Sequence, residues 1–230
     1  MLIGILAGMG PKSTGPFIDQ VVAAFQFLTG AKNDIDFPPM MIYSLPTPFY
    51  VNHPIDHKLM EKTICNGLKK LEACGVDFIA MPCNTAHLYF SELQQCIRIP
   101  LLNIITATLN RLPKSAKKIT ILGTRTTLES QIYQKGLRKT HFSCIENPLW
   151  QKKIDEMILS IKTSANREIA INLWADLSNN FREEGIDTLL VACTDLNVVI
   201  KTVKSPFPII DSSACLAEAI VEKWNELKKM

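Results

Sequence analysis

A chain of 230 residues, 47% apolar and 20% charged, carries enough apolar material for one large core or two smaller ones. Its formal charge of +3 comes from 25 basic and 22 acidic residues spread along the sequence, without the basic stripe that a nucleic-acid partner requires. No apolar run reaches the roughly 18 residues of a membrane span. Seven cysteines, an odd number with no CxxC pair, argue against a disulfide framework and against a structural zinc site, and place the chain in the cytoplasm.

From the start, MLIGILAGMG lacks a basic leader and reads as a buried strand, Leu2 to Leu6, rather than a secretion signal. Further apolar runs predict strands at Met40 to Tyr43, Phe78 to Met81, Leu101 to Ile104, Ile119 to Leu122, Leu189 to Ala192 and Pro208 to Ile210. Between them lie stretches of helical period. His57 to Ala73 gathers Leu59, Ile64, Leu68 and Leu71 on one face and ends at Cys74-Gly75. Buried strands alternating with helices give an α/β class with parallel sheets.

One phrase occurs twice. IGILAGM leads through a helix to GVDFIAMPCNTAH, and ITILGT leads through a helix to GIDTLLVACTDLN. The repeat predicts two similar α/β lobes, residues 1–110 and 111–207, with 208–230 packing back on the first lobe. Chance likeness between two βαβ units is the alternative.

In each copy a cysteine stands where a strand ends and a helix is expected, Cys83 and Cys193. Unpaired N–H groups and the dipole of a helix start favour a thiolate there, and ligands collect beyond the carboxyl ends of parallel strands. If the lobes face each other across a cleft, so do the sulfurs. Two opposed thiols suit the removal of a proton from one face of a carbon and its return to the other, with Asn84, Thr85, Thr124 and Thr194 as donors to the carbanion-like intermediate. This chemistry needs neither metal nor organic cofactor. A buried cysteine is more often a packing residue, and Cys65, Cys74, Cys96, Cys144 and Cys215 are read so. His87 either tunes Cys83 or makes a structural hydrogen bond, and Asp195 either caps its helix or orients Cys193.

IGILAGMGP, MPCNTAH, ITILGT and ACTDL, in this order and spacing, resemble the aspartate/glutamate racemase superfamily over nearly the whole chain, and its aspartate racemase branch most closely. The resemblance implies two pseudo-symmetric Rossmann-like lobes with the site in the cleft between them, a homodimer, an amino-acid substrate (aspartate in that branch) and no pyridoxal phosphate. It further implies that Cys83 and Cys193 are the acid/base pair, that Asn84, Thr85, Thr124 and Thr194 hold the α-carboxylate and amino groups, and that Met9 lines the cleft. The branch carries a carboxylate-binding arginine after its second strand, where this chain has Thr47 and Pro48. Lys12, His53 and Arg125 are replacements or ordinary surface residues. A lysine of the second lobe corresponds to Lys152 or Lys153. Other members of the superfamily (hydantoin racemase, maleate isomerase, decarboxylase) and a silent binder or thiol sensor are the alternative functions.

Overall fold

The structure, a computed structural model, describes residues 1–50, 54–163, 167–200, 202–203 and 205–229, and of Val198 the backbone alone. It divides into two units, one of residues 1–107 with the C-terminal stretch from Ser213, the other Thr108–Ser212. The first unit runs β1 (Ile3–Ala7), α1 (Thr14–Thr29), β2 (Met40–Ser44), α2 (His57–Ala73), β3 (Phe78–Ala80), α3 (Phe90–Gln95), β4 (Leu101–Leu102) and α4 (Ile104–Leu109), within which the second unit begins. Its sheet has the order β2-β1-β3-β4, all parallel. The unbroken apolar run of β1 is explained by burial on both faces: all five residues are inaccessible. Ile64, Leu68 and Leu71 of α2 pack on Leu6, Ile79 and Met81, each fully buried side chain contributing about 1.5–3 kcal/mol.

The second unit contains β5 (Lys118–Leu122), α5 (Arg125–Glu129), α6 (Gln134–Leu137), β6 (Ser143–Cys144), α7 (Pro148–Thr163), α8 (Glu168–Glu183), β7 (Thr188–Val191), α9 (Asn197–Ile200) and β8 (Ile209–Asp211), and α10 (Ser212–Lys228) returns to the first. The sheet order is β6-β5-β7-β8, again all parallel, so the same order is written twice along the chain. Trp150, Trp174 and Phe181 are buried between its helices and sheet.

The repeated Gly-hydrophobic-Asp phrase has a structural cause. Gly75 and Gly185 end their helices at φ +78° and +66°, a left-handed turn that a side chain strains. Two residues on, Asp77 accepts the backbone N–H of Leu2 at 2.6 Å, and Asp187 accepts those of Lys117 and Lys118 at 2.9 and 3.0 Å. Each aspartate fastens the start of its own strand to the start of the first strand in its sheet. In the other direction, Asp77 N–H bonds Leu2 O and Asp187 N–H bonds Lys118 O.

Four expectations need correction. The segment from Pro208 does not return whole to the first lobe, because Ile209–Asp211 pairs with β7, and only from Ser213 does the chain join the first unit. Leu59 is exposed and Met60 lies in the core instead, because the stripe Met60, Ile64, Gly67, Leu68 and Leu71 is the one that α2 buries. Cys65 and Cys96 are joined in a disulfide with their Cα atoms 5.9 Å apart, tying α2 to the residue after α3. Of the remaining cysteines read as core residues, Cys74 is exposed; Cys215 alone is buried. Strand β6, only two residues long, had no apolar run to announce it.

Candidate active site

β3 leads through Met81 and Pro82 to Cys83, half-buried against the core of the first unit, and β7 leads through Ala192 to the buried Cys193. In their sheets β3 and β7 hold the same station, between the first strand of the unit and the last. The elements that follow are short 3-10 turns, Thr85–Tyr89 and Thr194–Leu196, rather than the helices expected. Turns of this length carry little macrodipole, so any anion beside these cysteines is served by individual N–H groups.

His87, four residues past Cys83, is buried. Its Nε2 accepts the N–H of Ile104 at 3.1 Å, which leaves Nδ1 protonated and donating to the Cys83 carbonyl at 2.8 Å. Burial holds this imidazole below the usual histidine range, against the raising effect of the Cys83 and Leu102 carbonyls. His87 is therefore a neutral strut that fixes the backbone of Cys83 to the start of α4, just past β4. Asn197, four residues past Cys193, also reaches the neighbouring strand: its Nδ2 donates to the Asp211 side chain at 3.0 Å, at the end of β8. These bonds were not legible beforehand, although both residues close the repeated phrase at the same offset from the cysteine.

The other expected residues are placed as follows. Asn84 is buried, Thr85 and Thr194 are half-buried next to their cysteines, and Met9 packs on the same core cluster as Cys83. Thr124 caps α5: its Oγ1 accepts the Thr127 N–H at 3.2 Å and lies 2.9 Å from the Thr127 hydroxyl, a partner that sequence reasoning missed. Lys152 is exposed and Lys153 is bound to Asp176 and Asn180 on α8. Two other side chains of α7 stand nearer the second motif. Gln151 donates to Gly123 O at 3.1 Å, next to Thr124, and lines a cleft of about 280 Å³ with Arg125, Glu129 and Glu146. Lys162 pairs at 2.7 Å with Asp195, which is buried two residues past Cys193. Arg125 pairs with Asp155, and His53 lies outside the described residues. Burial, with the charge of Glu146 adding and Arg138 opposing, pushes the Cys144 thiol up to about 11, an unreactive state. Among the described residues no group of three or more His, Cys, Asp or Glu side chains converges as a metal site. None of the described helices is long and apolar enough to cross a membrane.

Two parallel sheets of one strand order, each carrying a cysteine at the same station, define a duplicated α/β protein. The chain belongs to the Asp/Glu/hydantoin racemase family, whose model matches residues 6–220, and it is a racemase, an isomerase by class. It is 49% identical to the broad specificity amino-acid racemase RacX of Bacillus subtilis over 97% of this chain and 98% of that one. A glutamate racemase of Persephonella marina is 28% identical over 84% of this chain and 76% of its own. Among solved structures, the Picrophilus torridus aspartate racemase superposes with a TM-score of 0.85 at 30% identity, covering 97% of this chain and 94% of that chain.

Proposed function

We propose that this racemase acts on free amino acids by a two-thiol mechanism, with Cys83 and Cys193 on opposite faces of the substrate α-carbon. The observation that carries the reading is the equivalence of the two cysteines: each follows the same strand of the same sheet order, at the same place in the repeated phrase. A duplicated unit that repeats a thiol at one station suits a reaction that needs the same group twice.

In one direction a thiolate takes the α-proton. The C–H electron pair stays on carbon as an S–H bond forms, and the opposite thiol gives its proton to the other face, becoming the thiolate. The reverse direction exchanges the roles. N–H, amide and hydroxyl donors at Asn84, Thr85, Thr124 and Thr194 hold the α-carboxylate and stabilise the charge that spreads into it. Met9 supplies apolar wall. We assign the second-lobe lysine to Lys162, whose ammonium pairs with Asp195 two residues past Cys193, in place of Lys152 and Lys153. The reading needs no metal or organic cofactor.

Aspartate is the substrate to which the branch resemblance points, and the structural likeness to an aspartate racemase supports it. The loop with Thr47 and Pro48 offers no arginine for a second carboxylate, and a relative at 49% identity bears the name of a broad-specificity enzyme. We therefore infer a racemase whose range extends beyond dicarboxylic amino acids. A homodimer in the cytoplasm completes the reading, testable by light scattering and fractionation.

The test is NMR in deuterated water without added cofactor, following loss of the α-proton signal from each enantiomer of aspartate, glutamate and several neutral and basic amino acids. Exchange and inversion across several side-chain classes are expected. Exchange of aspartate alone contradicts the broad range, and exchange of none contradicts the function.

A further inference from the structure

We infer that the outer edge of β2 is the docking surface for a second copy of this chain, joined strand to strand about a two-fold axis. The inference rests on the homodimer of the function proposed above for its occupant, and on the geometry of one strand for its place. β2 ends its sheet and is hydrogen-bonded to β1 alone. Its bonding alternates. Pro39 O accepts the N–H of Ile3, and Leu45 N–H donates to Ala7 O. Met41 and Tyr43, in phase with these two, therefore also turn to β1, and Met40, Ile42 and Ser44 turn their N–H and C=O groups outward. Among the described residues nothing bonds those outward groups.

The edge is open on both faces. Tyr43 meets Lys70 of α2, which puts Met41 on the α2 face and Ile42 on the opposite one; Met41 is 39% exposed and Ile42 42%. Within Met40–Ser44 there is no charge, proline or bulge, the devices by which edges avoid pairing. The other strands at sheet edges are blunted by length: β4 and β6 have two residues each, and β8 has three and ends in Asp211. β6 holds the station of β2 in the second sheet, so two equivalent edges differ, and the longer, apolar one calls for a cover.

A second copy fits it. When two β2 strands run antiparallel, centred on Ile42, that residue faces the partner's Ile42 and Met40 faces the partner's Ser44 as hydrogen-bonded pairs. Every outward group of the strand is then satisfied, and Met41 lies opposite the partner's Tyr43, thioether against ring. Charge favours the same sense. Ahead of the strand Asp34 and Asp36 outweigh Lys32, while toward its far end the Lys70 ammonium sits 5.6 Å from the centre of the Tyr43 ring, so antiparallel strands bring unlike charges together. Phe27, Leu28 and Ile35, all exposed at the end of α1 and in the turn leading to β2, add apolar surface toward the roughly 800 Å² that a stable pair covers on each partner. The two-fold pairing uses up both edges and stops at two copies.

The test is sedimentation velocity over a range of concentrations on the full-length parent, Ile42→Lys, Ile42→Pro, Met41→Lys and Leu149→Lys, with circular dichroism to show that each is folded. Ile42→Lys charges the edge, and Ile42→Pro removes an outward N–H while leaving the bonds to β1. The parent is expected as a dimer, and the three β2 variants are expected to dissociate at least about thirtyfold more readily. Leu149→Lys, at a 70% exposed apolar residue of α7, is expected to leave the dimer unchanged. Folded β2 variants that dimerise like the parent, or a Leu149→Lys that dissociates as they do, overturn the β2 edge and leave the homodimer standing. A parent that stays monomeric overturns the homodimer and the edge together, and leaves the two-thiol reading untouched.

Discussion

The His87 imidazole donates from Nδ1 to the carbonyl of Cys83 at 2.8 Å while its Nε2 accepts the N–H of Ile104 at 3.1 Å, so one buried ring sets the backbone on which the first cysteine stands. A group that must stay neutral to do this work makes the fold sensitive to acid. The unfolded chain holds an ordinary imidazole near 6.5 and binds a proton before the folded one does. The stability that His87 contributes is whole above about pH 6.5 and fades as pH falls below it. Chemical denaturation at pH 7.5, 6.0 and 5.0 should show this loss, and His87→Gln should reduce it while lowering stability at pH 7.5 by about 1–3 kcal/mol. An unchanged pH dependence in His87→Gln would remove the argument.

The pair Lys162–Asp195, two residues past Cys193 in the chain, has its carboxylate almost wholly enclosed. Asp195→Asn leaves an ammonium at the edge of the core without its counter-charge, and a loss of about 2–3 kcal/mol is expected, below the full value for a buried pair because Lys162 is partly solvated. If the pair also serves the reaction, kcat falls by more than the lost stability explains under conditions where the protein is fully folded. A variant that is destabilised but turns over at the parent rate would assign the pair to the fold alone.

Asp187 holds the N–H groups of Lys117 and Lys118 at the start of β5. Burial works against its charge, but the hydrogen bonds from Lys118, Thr188 and Lys117 and the Lys117 charge prevail and hold it below the ordinary carboxylate value of 3.8. Its contribution is present above that value and is lost as pH falls through the folded one. Asp187→Ala should cost about 1–2 kcal/mol in urea unfolding at pH 7 and progressively less as pH falls below 3.8, and Asp77→Ala, which removes the bond to Leu2, should cost a similar amount at pH 7.

With Cys65 bonded to Cys96, five of the seven cysteines are thiols outside the disulfide. Thiol titration in denaturant without reductant should count five, rising to seven after reduction. The Cys65→Ala/Cys96→Ala variant should retain racemisation while losing about 2–4 kcal/mol of stability. A count of seven in protein purified without reductant would refute the bond.

Much of this fold was legible because its signals are short-range. The apolar runs of β1, β3, β5 and β7 are continuous where both faces are covered, and the glycine stops at Gly75 and Gly185 are local chemistry. The doubled phrase exposed the duplication and with it Cys83 and Cys193. What stayed hidden depends on contacts between distant residues. Nothing in the sequence says that Cys65 and Cys96 meet, 31 positions apart, since that follows from how α2 lies on α3. The resemblance points to Lys152 or Lys153 as the second-lobe lysine and not to Lys162, because lysines on one helix differ only in the neighbours that the helix packing gives them, here Asp176 for Lys153 and Asp195 for Lys162. His87 and Asn197 share an offset in the repeat but not a residue type, so what each bonds, Cys83 and Ile104 backbone for the one and the Asp211 side chain for the other, was visible only in the structure.

The most direct measurement is racemisation by Cys83→Ala and Cys193→Ala, each checked for an intact fold, with α-proton exchange in deuterated water followed in parallel from both enantiomers of whichever amino acid the parent protein turns over. Each variant should lose racemisation by at least about a thousandfold, a drop in line with removal of an essential acid or base, and any residual exchange should be confined to one enantiomer, opposite in the two variants. Full racemisation by either variant would contradict the two-thiol account.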